Sequence, residues 1–272
     1  MQQYTDEYRS KLLAETGVAF NSMAVIEKLK QGVNRNDVVP QENKHNRKKR
    51  DNEQIDYISK ILFDYCYKDY FWEEVIELIL DDMQIYKFVK ISSVNYLQTF
   101  RIPEMTRCYS EVTLLEHTYN IVKQFVIAKD IPFVSRFNPF IVLLCCVLHD
   151  YGKCFEIKKM VSYKATSRDL PKHEEYSGLY VEKIANMIYE KYGRKLNTDE
   201  YYVTHFQNLK TIRTVVENHH AKEMQSDSLE YVVSKLDQAT RKSEWENYIE
   251  NGSKEKIEKT ETNAQSKLEF KE

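Results

Sequence analysis

The run Phe140-Ile141-Val142-Leu143-Leu144-Cys145-Cys146-Val147-Leu148 is apolar on every side and is followed at once by His149-Asp150-Tyr151-Gly152-Lys153. A helix without a polar face must lie at the centre of its fold, covered all round by other elements. Asn138-Pro139 sets its start, with Asn as N-cap and Pro at the first helical position. Its far end delivers His149 and Asp150 out of the core into whatever cavity lies there. Gly152 supplies the backbone freedom to end the helix.

What covers this helix follows from composition. The chain has 272 residues and 42% hydrophobic content, enough to bury a proper core. Only 6 glycines and 5 prolines punctuate it, while Leu, Lys, Glu, Ile and Gln abound. That balance favours long helices with short connections, hence an all-α protein. A net charge of −2 marks neither a strongly basic nucleic-acid binder nor an acidic solvating chain. The odd set Cys66, Cys108, Cys145, Cys146 and Cys154 contains no Cys-x-x-Cys pair and reads as buried free thiols in a reducing compartment. No apolar stretch approaches the ~20 residues needed to cross a bilayer, and MQQYTDEYRS lacks the apolar core of a signal peptide. The expectation is a cytoplasmic protein without membrane association.

Apolar spacing predicts one or two helices over residues 5–30, then a polar linker near 31–54. That linker carries the basic cluster Lys44-His45-Asn46-Arg47-Lys48-Lys49-Arg50, which reads as a solvated segment or as a contact for DNA phosphate. Two helices are expected between Ile55 and Val94, and a third from Thr113 to Lys129. Further helices are expected from His173 to Tyr192, from Leu209 to His219 and from Ser226 to Ile249. The tail 251–272 is charged and is expected to be disordered. Residues 1–100 read as an N-terminal helical region packed on a site-bearing domain at 101–250.

Chemistry concentrates in the second of these regions. Five of the seven histidines, His117, His149, His173, His219 and His220, fall in an ordered series with Asp150 and Asp237. A lone histidine on an apolar face is usually a packed core residue, but five spread over four predicted helices beside a His-Asp pair point to metal ligation. Imidazole and carboxylate without thiolate suit Fe, Mn, Co, Ni or Zn. His205 lies outside the series and reads as a packing residue. Glu116 reads as a solvated helix residue next to a ligand. Lys158, Lys159, Lys164, Arg168 and Lys172 form either a solvated loop or a cradle for a polyanion.

The order His117, His149-Asp150, His173, His219-His220, Asp237, with His-Asp-Tyr-Gly-Lys at 149–153, resembles the HD-domain superfamily of metal-dependent phosphohydrolases and its His-Asp-x-Gly-Lys signature. The likeness covers residues 110–245. It implies an HD-domain-like helical bundle with extra N-terminal helices and a divalent transition metal centre. It also implies hydrolysis of a phosphoester of a nucleotide or nucleic acid by metal-activated hydroxide. His117, His149, Asp150 and Asp237 match the family's first metal site, and Asp150 is able to bridge. His173, His219 and His220 match the added ligands of the two-metal branch, so two ions are implied. Asp150 and Lys153 become the catalytic pair, the lysine meeting a substrate phosphate oxygen.

The resemblance is not uniform. His219-His220 is followed by Ala-Lys-Glu-Met-Gln rather than Gly-Tyr-Pro, which disfavours cyclic-di-GMP as substrate. Tyr189 to Phe206 reads as an insertion, a lid or partner surface. Leu114-Leu115-Glu116-His117 and the run around Asp237 are similar to segments of HD proteins that act on nucleic acids. The alternative function is a non-hydrolytic binding or regulatory module, or an accessory in DNA processing or mobile-element biology.

Overall fold

The central helix is where the apolar run requires it. The computed structural model describes residues 50–94, 103–162, 172–193 and 199–269, with side chains up to residue 251, and the protein is all-α there. We number its helices α1 (Glu53–Tyr65), α2 (Tyr70–Ile85), α3 (Pro103–Glu111), α4 (Leu114–Ala128) and α5 (Pro132–Ser135). They continue as α6 (Pro139–Leu148), α7 (Phe155–Val161), α8 (His173–Tyr192), α9 (Glu200–Asn218) and α10 (Leu229–Glu269). Single 3-10 turns follow α2 at Phe88–Lys90 and α6 at Tyr151–Lys153.

Every residue of α6 from Phe140 to Leu148 is buried, and α1, α4, α9 and α10 all pack against it. Burying an apolar side chain of this size stabilises the fold by about 1.5–3 kcal/mol, so α6 is a main anchor of the bundle. Short polar side chains start the surrounding helices. Asn52 accepts from the Gln54 and Ile55 amides, Asp69 from Phe71 and Trp72, Thr113 from Glu116, Asn138 from Phe140 and Ile141, and Asp199 from Tyr201. Each satisfies amides that the first turn leaves without partners.

Four expectations change. The described residues of the stretch Tyr189 to Phe206 are the end of α8 and the start of α9, which begins at Glu200 rather than near Leu209. The polar Asp199-Glu200-Tyr201-Tyr202 start hides that helix from an apolar count, although Asp199 caps it. The last helix runs on to Glu269, beyond the expected end at Ile249. Its later residues are rich in Lys and Glu, good helix formers, with Glu255 four residues before Lys259. Arg50, counted in the basic cluster, is buried and paired with Glu77 and Asp81 of α2, so it offers no charge to DNA. The helices expected over 5–30, most of the linker and Lys44 to Lys49 lie outside the described residues. Finally, Gly152 is needed for space rather than for a left-handed backbone. A Cβ there would overlap the His173 carbonyl oxygen and crowd the Ser177 amide. Among the described residues, no helix is long and apolar enough to cross a membrane.

Candidate metal centre

The seven ligand candidates come together at the C-terminal end of α6. His117 arrives from the first turn of α4, two residues past the buried Leu114-Leu115 pair. His149 caps α6, and Asp150 is the next residue. His173 opens α8, His219 and His220 close α9, and Asp237 stands two turns into α10. His117, His149 and His219 are fully buried, Asp150 and Asp237 nearly so, while His173 is half-buried and His220 exposed. The cluster therefore opens to solvent on the His173–His220 side.

Distances group the side chains around Asp150. His117 Nε2 is 3.1 Å from Asp237 Oδ1 and 3.6 Å from Asp150 Oδ2. His149 Nε2 is 3.3 Å from Asp150 Oδ2 and 3.8 Å from Asp237 Oδ1. Ligand atoms about 2.0–2.2 Å from one ion lie roughly 3–4.4 Å apart, so His117, His149 and Asp237 are spaced as ligands of a common cation, with Asp150 Oδ2 beside both imidazoles. On the opposite side Asp150 Oδ1 is 3.2 Å from His173 Nε2. His173, His219 and His220 form a second group, and His149, Asp150 and His219 a third that links the two, each with its ligand atoms within 4.8 Å of one another. The two oxygens of one carboxylate thus face two different sets of imidazoles.

These atoms also lack other partners. His117 Nε2, His149 Nε2, His173 Nε2, His219 Nε2, Asp150 Oδ1 and Asp237 Oδ1 are buried without a hydrogen bond. A buried polar atom left unpaired costs about 1–3 kcal/mol, and six around one point make sense only if something satisfies them together. A cation does. The opposite ring nitrogens are fully engaged: His149 Nδ1 is 2.7 Å from the Cys146 carbonyl, and His219 Nδ1 is 2.8 Å from that of Val216. Since a carbonyl only accepts, both rings carry their proton on Nδ1 and turn a lone pair inward. The donor set is nitrogen and oxygen alone. Burial pushes the Cys145 and Cys146 thiols well up, and neither belongs to a ligand group.

Charge supports the same arrangement. Burial alone would raise the Asp150 carboxyl, but His149, Lys153 and His173 beside it hold it well below the usual carboxylate range. Asp237 is likewise held low against burial by His117, His149 and Arg241. Burial, then His149 and His220, keeps His219 well below the ordinary imidazole value and hence neutral. His149 moves up despite its burial, because Asp150 and Asp237 adjoin it.

Lys153 is more engaged than the sequence suggests. Its Nζ lies 2.6 Å from Asp150 Oδ2 and donates to the Ser93 carbonyl at 2.7 Å. Three other residues escape a reading by composition. Arg241 bonds Ser93 through both terminal guanidinium nitrogens and lies 3.7 Å from Asp150 and 3.8 Å from Asp237. Glu244 accepts from His117 and Arg241. Ser177 accepts from the Gly152 amide and donates to the His149 carbonyl, both at 2.8 Å, fixing the His-Asp loop onto α8. The one available signal was spacing: Asp237, Arg241 and Glu244 share a helix face at i, i+4 and i+7. Glu116 is half-buried and joins no ligand group, and His205 packs elsewhere, between Asp69 and the rings of Phe71 and Trp72. Of the loop cations, Lys158 lies over the Tyr176 ring and Lys172 is exposed, while Lys164 and Arg168 fall outside the described residues.

The helical fold and the clustered ligands define a class, an all-α protein whose buried His/Asp cluster can hold a metal ion. Comparisons with family models, curated proteins and solved structures find no match to the chain.

Proposed function

We propose that this chain is an HD-type metal-dependent phosphohydrolase that cleaves a phosphoester of a nucleotide or nucleic acid. The observation that carries the reading is a cluster of six buried, unpartnered ligand atoms, Asp150 Oδ1 among them, in which the His117, His149 and His173 imidazoles lie 3.2–3.6 Å from the two oxygens of Asp150. His117, His149, Asp150 and Asp237 would hold one ion, and His173, His219 and His220 with the far oxygen of Asp150 a second. When bound, such ions supply Lewis-acid activation of water and of a phosphoryl oxygen. Asp150 sets the spacing between the two groups. Lys153 and Arg241 fix that carboxylate while placing two positive charges beside the centre, a setting that favours an anionic substrate. Water and substrate enter where His173 and His220 meet solvent, because the His117 end is closed by the core.

The test is a panel of nucleotides, cyclic dinucleotides and short single strands with added manganese. At least one phosphoester is hydrolysed by the parent, and Asp150→Ala abolishes both hydrolysis and metal binding. Uniform inactivity of the metal-loaded parent, with no binding of inorganic phosphate, would instead leave a closed binding module.

A further inference from the structure

Among the three fully buried imidazoles of the centre, His117 differs in what holds its outer nitrogen. His149 and His219 each rest on a backbone carbonyl, whereas His117 Nδ1 sits 2.9 Å from a carboxylate oxygen, Glu244 Oε1. That carboxylate is itself fixed. Asn120 Nδ2, one turn beyond His117 on α4, donates to the same oxygen at 3.2 Å, and Arg241 donates to Oε2 at 3.1 Å. Glu244 is 6% exposed, although it carries a carboxylate. A buried carboxylate is costly, and the Asn120 and Arg241 donors converging on it help make it tolerable.

From this geometry we infer that Glu244 is a positioning residue: it holds His117 as the Nδ1–H tautomer, aims Nε2 at the centre and raises the basicity of that nitrogen. An ionised carboxylate, held here by the Asn120 amide and the Arg241 guanidinium, can only accept, so the proton between it and His117 belongs to Nδ1. The negative charge then strengthens the opposite nitrogen as a donor to a cation, which a neutral carbonyl does less well. The same helix face presents Asp237 to Nε2 and Glu244 to Nδ1, so α10 grips both nitrogens of one ring. Arg241 lies between them and touches both carboxylates, which links the outer contact to the inner one. The effect on metal rests on the proposed metal centre; the tautomer does not.

Two readouts separate these. In metal-free protein, two-bond 15N–1H correlations of the histidine rings show His117 as Nδ1–H in the parent. Glu244→Ala shifts it toward Nε2–H, and Glu244→Gln retains Nδ1–H because the amide oxygen still accepts. Chelator competition with manganese or zinc gives an affinity about 10–100-fold lower in Glu244→Ala, and a smaller loss in Glu244→Gln. A parent in the Nε2–H form, or a Glu244→Ala protein with the parental tautomer, overturns the inference. Should the alanine variant fail to fold, a glutamine variant with parental metal affinity overturns the role of the charge. A parent that binds no metal overturns the hydrolase proposal, and the tautomer measurement still decides the role of Glu244.

Discussion

Asp150 and Gly152 show how much a single position can carry. Asp150 must be ionised, buried and contacted on both oxygens, and only the cations and imidazoles around it make that state stable. Gly152, two residues on, lets α8 approach closely enough for His173 to face that carboxylate. A methyl group at Gly152 meets backbone atoms of α8, which have nowhere to go, whereas one at Gly178 meets only the flexible Glu217 side chain. Gly152→Ala is therefore expected to lose about 1–3 kcal/mol of stability by overpacking and to loosen metal binding. Gly178→Ala should lose less, since Glu217 can swing aside and alanine favours a helix. Denaturant unfolding of both variants measures the contrast, and equal losses would contradict this account of Gly152.

At the scale of helices, the site depends on α9 being held at both ends. Its C-terminal end supplies His219 and His220; its N-terminal end is tied to α2 through His205, Tyr201 and Asp69. His205 Nε2 lies 2.6 Å from Asp69 Oδ2, and the Tyr201 hydroxyl donates to Asp69 Oδ1. Although burial works to raise it, the Asp69 carboxyl is held below its ordinary value by these two partners. A carboxyl depressed in the folded state stabilises above its unfolded value of ~3.9 and loses that contribution as pH falls through the folded value. Asp69→Asn keeps a side chain able to cap α2. The parent should therefore exceed Asp69→Asn in unfolding free energy at neutral pH, and the gap should narrow as pH falls from about 5 toward 3. A gap that is constant over this range would contradict the pairing. The sequence did not reveal this connection, because His205 and Asp69 are far apart in the chain and α9 begins with polar residues that an apolar pattern passes over.

For the whole molecule, the all-α class was legible in the scarcity of glycine and proline. The position of the centre was legible in one all-apolar helix ending in His-Asp. Every proposed ligand lies at the end of that helix, because ligand chemistry demands particular residue types that stand out in a chain with seven histidines. The residues that hold the ligands were not legible. Glu244 sits in the charged run Arg241-Lys242-Ser243-Glu244, which reads as a solvated face until α10 is seen against α4. Ser93 gains its place by joining Lys153 and Arg241, a contact between segments that no local pattern announces.

The central claim is that these side chains hold metal. Elemental mass spectrometry on protein purified without chelator and under nitrogen, with His173→Ala alongside, tests it most directly. The proposal predicts about two transition-metal ions per chain, falling toward one in His173→Ala. A parent that stays metal-free after reconstitution with manganese, iron or zinc would contradict it.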